Sequence, residues 1–353
     1  MTKAVAEKAM DYGIHRFLAD GVHYRDWADI RAAMPSWEEW PQTWAKWAAD
    51  TEERADAELA KGSTLTAAAD YARAALYYHT GQYLLFDDLE LKKRIHDSKI
   101  AAFSKGLEHF ATPIERVEIP FKNITMPGYF RVPAGVDNPP CVVLLGGLDT
   151  TKEDYLVVSD MLIARGIATI GFDGPGQGET FFKMALEQDF EKSVSAVIDY
   201  VEKRPEIDKN RIGLVGRSLG GYWGPKTAAT DDRVKALVCW GVIYDYENFD
   251  NIKTAHYSTY VGLKAVTGLD DEAARDFYLA FDLTPYASKI SCPTLLCHGG
   301  LDVVTPIVNV TKILKDLTCP VEQLVWEDSG HCCHDRSHIQ RPGMADFFQR
   351  HLV

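Results

Sequence analysis

The chain has 353 residues, 46% of them hydrophobic and 25% charged, with a formal net charge of -13. That length accommodates a large domain and a smaller one, and the acidic balance argues against nucleic acid or an anionic membrane as a partner. No apolar run reaches the ~18 residues a transmembrane helix needs, and MTKAVAEKAMDYGIHRF at the N-terminus lacks the apolar stretch of a signal peptide, so a cytoplasmic protein is expected.

Residues 1–112 read as one helical domain without strand signals. Residues 37–47 (WEEWPQTWAKW) and 67–86 (AAADYARAALYYHTGQYLLF) carry aromatic side chains at helical spacing. Pro41 and Lys61-Gly62-Ser63 punctuate them, and Ser63 or Thr64 is placed to cap the helix that follows. Aromatic residues at this spacing chiefly fill a core, with some left to line a pocket.

The pattern changes over residues 113–353. Residues 115–134 alternate and include turn residues, which predicts an antiparallel hairpin. Short apolar runs follow at 141–145, 167–172, 212–215, 234–240, 294–297 and 323–326, with helical stretches among them at 154–165, 187–203 and 307–317. Such runs, separated by helices, are parallel strands buried on both faces. The class is therefore α/β, a mostly parallel central sheet with helices on both faces, in the order of the α/β-hydrolase fold. Residues 244–290 interrupt the rhythm with an aromatic, helical insertion. It would stand over the carboxyl ends of the strands, where ligands bind in open α/β sheets.

The chemistry lies at predicted strand ends. Gly216-Arg217-Ser218-Leu219-Gly220 is G-x-S-x-G between an apolar run and a helical segment at 222–230, the setting of a nucleophile elbow; Ser218 is the candidate nucleophile. A serine hydroxyl needs a base to take its proton, and His331, after Gly330 in the loop beyond the last strand, is suited to that. His334 is the rival, expected to begin the next helix, while His338 and His351 read as surface residues. The imidazole needs an anion to hold its tautomer. Asp302, in the loop closed by Pro306, gives the order Ser–Asp–His; Asp245, after the preceding strand, is the competitor. His298, at a strand end, reads as structural.

A tetrahedral oxyanion needs backbone N–H donors. Leu219 supplies one, and Gly146-Gly147-Leu148-Asp149 the other, through Leu148 or alternatively Gly147; the paired glycines permit a close backbone approach. Asp173-Gly174-Pro175-Gly176-Gln177-Gly178-Glu179 has neither Gly-Lys-Ser/Thr nor the G-x-G-x-x-G spacing and reads as a tight turn beside the site. Cys141, Cys239 and Cys297, among seven cysteines, lie in apolar runs and read as reduced core thiols. His331, Cys332, Cys333, His334 and His338 match no zinc spacing, so neither a metal nor a cofactor is expected.

Gly146-Gly147-Leu148-Asp149 with Thr151-Lys152-Glu153, then the 173–179 loop, Gly216-Arg217-Ser218-Leu219-Gly220-Gly221 and Gly330-His331-Cys332-Cys333-His334 together resemble the α/β-hydrolase family that contains 2,6-dihydroxypseudooxynicotine hydrolase, the fermentation–respiration switch protein and fungal polyketide-shortening hydrolases. The resemblance covers the catalytic domain and extends to the helical N-terminal segment, with Gly-His-Cys-Cys-His its most specific part. It implies a serine hydrolase with a helical N-terminal cap, several of whose relatives cleave a carbon–carbon bond next to a ketone while others cleave esters. It also implies an auxiliary acid, for which the matching region offers Asp245, Glu247 and Asp250.

The expected protein is a serine hydrolase working through an acyl-enzyme on an aromatic or polyketide-like carbonyl compound. A carboxylesterase or amidase with the same triad is the alternative, and a ligand-binding protein that keeps the fold without turnover is a more distant one. The substrate is expected to be small, aromatic and apolar, as the many aromatic residues suit, and the assembly a homodimer.

Overall fold

Alanine, leucine and long charged residues, the best helix formers, dominate the first hundred positions. In the computed structural model, which describes residues 3–353, they form α1 (Lys3–Asp20), α2 (Tyr24–Ala33), α3 (Trp40–Ala60), α4 (Thr64–Gln82) and α5 (Leu89–Gly106). Asp88 caps α5 by accepting the Leu91 N–H at 2.9 Å. Pro41 falls in the first turn of α3, where its missing N–H costs nothing, so it opens that helix rather than breaking it. Ser63 occupies the N-cap of α4, but its side chain makes no capping bond, contrary to expectation. Trp40, Trp44, Tyr71 and Tyr77 are buried in this unit's own core, each large apolar side chain contributing roughly 1.5–3 kcal/mol. Trp40 Nε1 donates to the Thr80 carbonyl at 2.8 Å, and Tyr77 Oη to Asp26 at 2.5 Å, so the polar tips of these two rings are satisfied. The chain divides into this compact unit, Met1–Glu115, and a second, Arg116–Val353.

The second unit contains β1 (Glu115–Phe121), β2 (Ile124–Arg131), β3 (Cys141–Leu145), α6 (Leu156–Ile163), β4 (Ala168–Phe172), α7 (Glu191–Glu202), β5 (Ile212–Arg217), α8 (Gly220–Thr230), β6 (Val234–Trp240), α9 (Phe249–Ala255), α10 (Tyr257–Thr267), α11 (Asp271–Leu279), β7 (Thr294–Gly299), α12 (Val308–Asp316), β8 (Val321–Trp326) and α13 (Ser337–Leu352). The strands make one sheet in the order β1-β2-β4-β3-β5-β6-β7-β8. β2 runs antiparallel to β4, and β3 to β8 pair in parallel. This is the expected α/β-hydrolase architecture.

Alternation along the strands explains the uninterrupted apolar runs. Cys141, Val143 and Leu145 of β3 face a core shared with α7 and α8, whereas Val142 and Leu144 face a second core with Tyr155, Leu162, Phe347 and Phe348. Both faces are covered, so every position is apolar. From β3 the chain moves to β4 on one side and later to β5 on the other. The loops leaving β3 and β5 therefore diverge at a switch point, which opens a crevice at the strand ends. Leu145 pairs with Gly216, setting Gly146–Leu148 beside Arg217–Leu219.

The insertion between β6 and β7 consists of α9, α10 and α11. Tyr246, Phe249, Tyr278 and Phe281 are buried, with neighbouring ring centroids 5.3–6.4 Å apart. Most aromatics of this segment pack on one another, so they chiefly build the core of the insertion.

Candidate active site

A strand must become a helix within two residues at the end of β5, and glycines allow it. A Cβ at Gly216 would lie 2.1 Å from the Gly220 carbonyl oxygen, and one at Gly220 would lie 2.9 Å from the Leu145 and Gly146 carbonyl oxygens. Ser218 between them takes φ 55, a left-handed conformation costing about 1–3 kcal/mol for a residue with a side chain. Its N–H donates to the Trp240 carbonyl at 2.7 Å, and its carbonyl accepts the Gly221 N–H at 2.6 Å. The strain is thereby held by the sheet on one side and by α8 on the other, leaving the hydroxyl at the switch point.

Ser218 Oγ lies 2.8 Å from His331 Nε2, and His331 Nδ1 lies 2.7 Å from Asp302 Oδ2. Asp302 is buried. Its Oδ1 accepts the Val304 and Thr305 N–H groups at 2.9 and 2.8 Å, and its Oδ2 also accepts the Thr305 hydroxyl at 2.6 Å. Burial opposes ionisation of this carboxyl, but the His331 charge and the hydrogen bonds outweigh it and hold the group below its ordinary value. Burial likewise opposes charging of His331, and Asp302 overcomes it, raising the imidazole well above its ordinary value.

The loop carrying His331 is also left-handed, with Cys332 at φ 57 and Cys333 at φ 49. Trp240 Nε1 donates to the Cys332 carbonyl at 2.6 Å, and the Cys333 N–H donates to the Gly330 carbonyl at 3.1 Å. These bonds fix the turn that aims the imidazole. Cys332 Sγ lies 3.5 Å from His331 Nε2. His334 turns elsewhere, its Nε2 3.1 Å from an Arg217 guanidinium nitrogen. His298 is a buried strut: its Nδ1 accepts the Val242 N–H at 3.1 Å, its Nε2 lies 2.7 Å from the Thr305 carbonyl, and burial lowers its basicity.

Gly147 stands against the elbow; a Cβ there would lie 2.9 Å from both Ser218 Cβ and the Arg217 carbonyl oxygen. Among the described residues the N–H groups of Gly147, Leu148 and Leu219 donate to no protein acceptor. Of these, Gly147 lies directly beside the serine.

Asp245 and Glu247 do not join this arrangement. Lys312 of α12 lies 2.6 Å from a carboxylate oxygen of each, and among the described residues no hydrogen bond links either to Ser218, Asp302 or His331. One ammonium is thus shared between the two carboxylates proposed as auxiliary acids, and Asp250 pairs with Arg275. Tyr246, between Asp245 and Glu247, is buried, and that burial raises its phenol well above the ordinary value, with the Asp302 charge adding to it. His256, at the N-cap of α10, was not anticipated. Burial lowers its basicity first, and the nearby His331 charge adds to this, while Asp149 and Asp302 oppose it. It has no motif around it, and only the fold brings it within electrostatic reach of the triad.

The 173–179 loop is anchored by a buried charge cluster. Lys152 Nζ lies 2.9 Å from Asp173 and 2.7 Å from both Glu153 and Glu179. Gln177, in the middle of the loop, donates to the Gly146 and Gly147 carbonyls at 2.9 and 2.8 Å, a contact that a reading of the loop as a simple turn did not include.

The family model described as "Esterase FrsA-like" matches residues 26–311. The chain is 35% identical over 343 residues to the 2,6-dihydropseudooxynicotine hydrolase of Paenarthrobacter nicotinovorans, covering 96% of this chain and 91% of that one. It is 30% identical to the 20-hydroxy-prefusarin hydrolase of Gibberella moniliformis, over 83% of this chain and 81% of that one. The crystal structure of the 2,6-dihydroxy-pseudo-oxynicotine hydrolase superposes with a TM-score of 0.89 at 34% identity, covering 96% of this chain and 95% of that one. The chain is a hydrolase that belongs to the FrsA-like esterase family.

Proposed function

We propose that this hydrolase works through an acyl-enzyme on Ser218 and cleaves a carbon–carbon bond next to a ketone in an aromatic or polyketide-like compound. The observation that carries the acyl-enzyme reading is the hydrogen-bonded chain from Ser218 Oγ through His331 to Asp302, at 2.8 and 2.7 Å. In this reading Ser218 Oγ attacks the substrate carbonyl while His331 Nε2 takes its proton, a transfer worth about 10²–10⁴-fold in rate. Asp302 holds the Nδ1–H tautomer and stabilises the imidazolium. The Leu219 and Leu148 N–H groups, with Gly147 as the alternative to Leu148, receive the oxyanion. Collapse of the tetrahedral adduct expels the carbon leaving group, and His331 returns the proton to it. Water, deprotonated by the same imidazole, then releases the carboxylic acid.

The choice of carbon as leaving atom draws on the likeness to the 2,6-dihydropseudooxynicotine and 20-hydroxy-prefusarin hydrolases. The family description as an esterase supports the second reading, in which the leaving atom is oxygen. Turnover of aryl esters, anilides and aryl 1,3-diketones in ¹⁸O-labelled water, with products identified by mass spectrometry, separates them. Carbon–carbon cleavage gives a labelled acid and a partner ending in C–H. Efficient ester turnover with no cleavage of a diketone or acylated phenol ring refutes the first reading.

The helical N-terminal unit acts in this proposal as a cap that the substrate requires, which is supported by the likeness to a hydrolase that matches 96% of the chain. Among the described residues no helix is long and apolar enough to cross a membrane, and the seven cysteines form no disulfide. A cytoplasmic location and a homodimeric assembly belong to the same proposal, and cell fractionation and light scattering test them.

A further inference from the structure

We infer that Gln177 is a positioning residue for the oxyanion hole, holding the backbone after β3 so that its N–H groups face the reacting carbonyl. This rests on the acyl-enzyme reading of Ser218. The side-chain amide has one orientation available to it. Its Nε2 spends both hydrogens on the Gly146 and Gly147 carbonyls, at 2.9 and 2.8 Å, and its Oε1 accepts the Gly174 N–H at 3.2 Å. A flipped amide would set Oε1 against two carbonyl oxygens.

The consequence follows from peptide geometry. In a planar trans peptide the C=O and N–H point in opposite directions. Holding the Gly146 and Gly147 oxygens on the Gln177 side therefore turns the Gly147 and Leu148 N–H groups to the other side. Those N–H groups have no protein acceptor among the described residues. Gly146 and Gly147 carry no side chain to restrict their rotation, so an external tether is needed to hold the two planes. A Cβ at Gly147 would meet Ser218, so these planes lie directly beside the nucleophile.

The tether is itself immobile. Gln177 is buried at 4% exposure. Its N–H donates to the Gly174 carbonyl, and its carbonyl accepts the Phe181 N–H. Asp173, at the head of the loop, accepts the Lys152 and Glu179 backbone N–H groups at 2.9 and 3.0 Å and pairs with the Lys152 ammonium. The Gly-rich run is thus a mount for one side chain, and the buried charges behind it keep that side chain in register with the elbow.

The test uses the full-length protein with Gln177→Glu, which keeps the shape but removes the donors, and Gln177→Leu as the second variant. Fluorophosphonate labelling of wild type, absent in Ser218→Ala, first establishes the acyl-enzyme reading; its failure refutes that reading and not the role of Gln177. With labelling established, kcat on the best aryl ester or diketone substrate is expected to fall about 10- to 100-fold at unchanged KM, as misaligned donors cost less than absent ones. Affinity for an aryl trifluoromethyl ketone, which forms an oxyanion on Ser218, should fall by the same factor, while affinity for the matching aryl alcohol should not change. The inference is overturned if either folded variant keeps kcat and trifluoromethyl ketone affinity within twofold of wild type, or if the alcohol and KM weaken in step with kcat.

Discussion

Replacing Asp302 with asparagine probes the mechanism without changing the size of the side chain. In the wild type Oδ1 accepts two backbone N–H groups, from Val304 and Thr305, and Oδ2 faces His331 Nδ1 at 2.7 Å. An asparagine must put its one acceptor oxygen on the backbone donors, because an NH₂ there would face two N–H groups. Its NH₂ then faces His331 Nδ1 and donates to it. That forces the proton onto Nε2, the nitrogen that must take the Ser218 proton, so the base is in the wrong tautomer. The expected loss in kcat is about 10⁴-fold, equivalent to about 5.5 kcal/mol of barrier. The pH profile provides a second readout. The base acts only when neutral, so activity is lost as pH falls through the His331 pKa. Asp302 raises that pKa in the folded protein, placing the acid limb of wild type above the ordinary histidine value of about 6.5. Without the carboxylate the limb should move to lower pH. Steady-state kinetics from pH 5 to about 10 and a melting curve suffice. A folded Asp302→Asn enzyme retaining more than a tenth of wild-type kcat, or an unmoved acid limb, refutes the reasoning.

Gly147→Ala places a Cβ 2.9 Å from Ser218 Cβ and the Arg217 carbonyl, so the two loops must part; turnover should fall about 100-fold or more while the melting temperature changes little, and full activity would show that the backbone there has room. Lys152→Met leaves the Asp173 and Glu153 carboxylates buried without their cation, which should cost about 3–5 kcal/mol of stability; urea unfolding measures it, and a loss below about 1 kcal/mol contradicts the account of the cluster. Deleting residues 1–111 should abolish turnover of the natural substrate class, and a monodisperse, fully active fragment would show the helical unit to be dispensable.

The strands after 140, the strand–turn–helix around Ser218 and the strand-end positions of Ser218, Asp302 and His331 were all legible because each depends on local pattern. Buried parallel strands announce themselves as apolar runs, and each triad residue follows such a run within a few positions. The family likeness reached the same residues through the same motifs. The helical character of the first hundred residues was equally local, since composition and spacing suffice for it.

Other features required the tertiary structure. Asp245 and Glu247 read as available acids, and Lys312, more than 60 residues on, pairs with both; an ion pair between distant positions leaves no period in the sequence. Loop position alone favoured His331 over His334; only the fold brings His331 to Ser218 and sets the ring of His334 against Arg217 and Trp240. His256 enters the neighbourhood of the triad only because the insertion folds back over the strand ends. Gln177 looked like one residue of a glycine-rich turn, and its significance depends on β3 and β4 lying side by side. The sequence alone determined which backbone segments become strands and which residues stand at their ends, because hydrophobic periodicity is a near-neighbour property. Which side chains meet across those ends was decided by strand order and register, which only the assembled sheet defines.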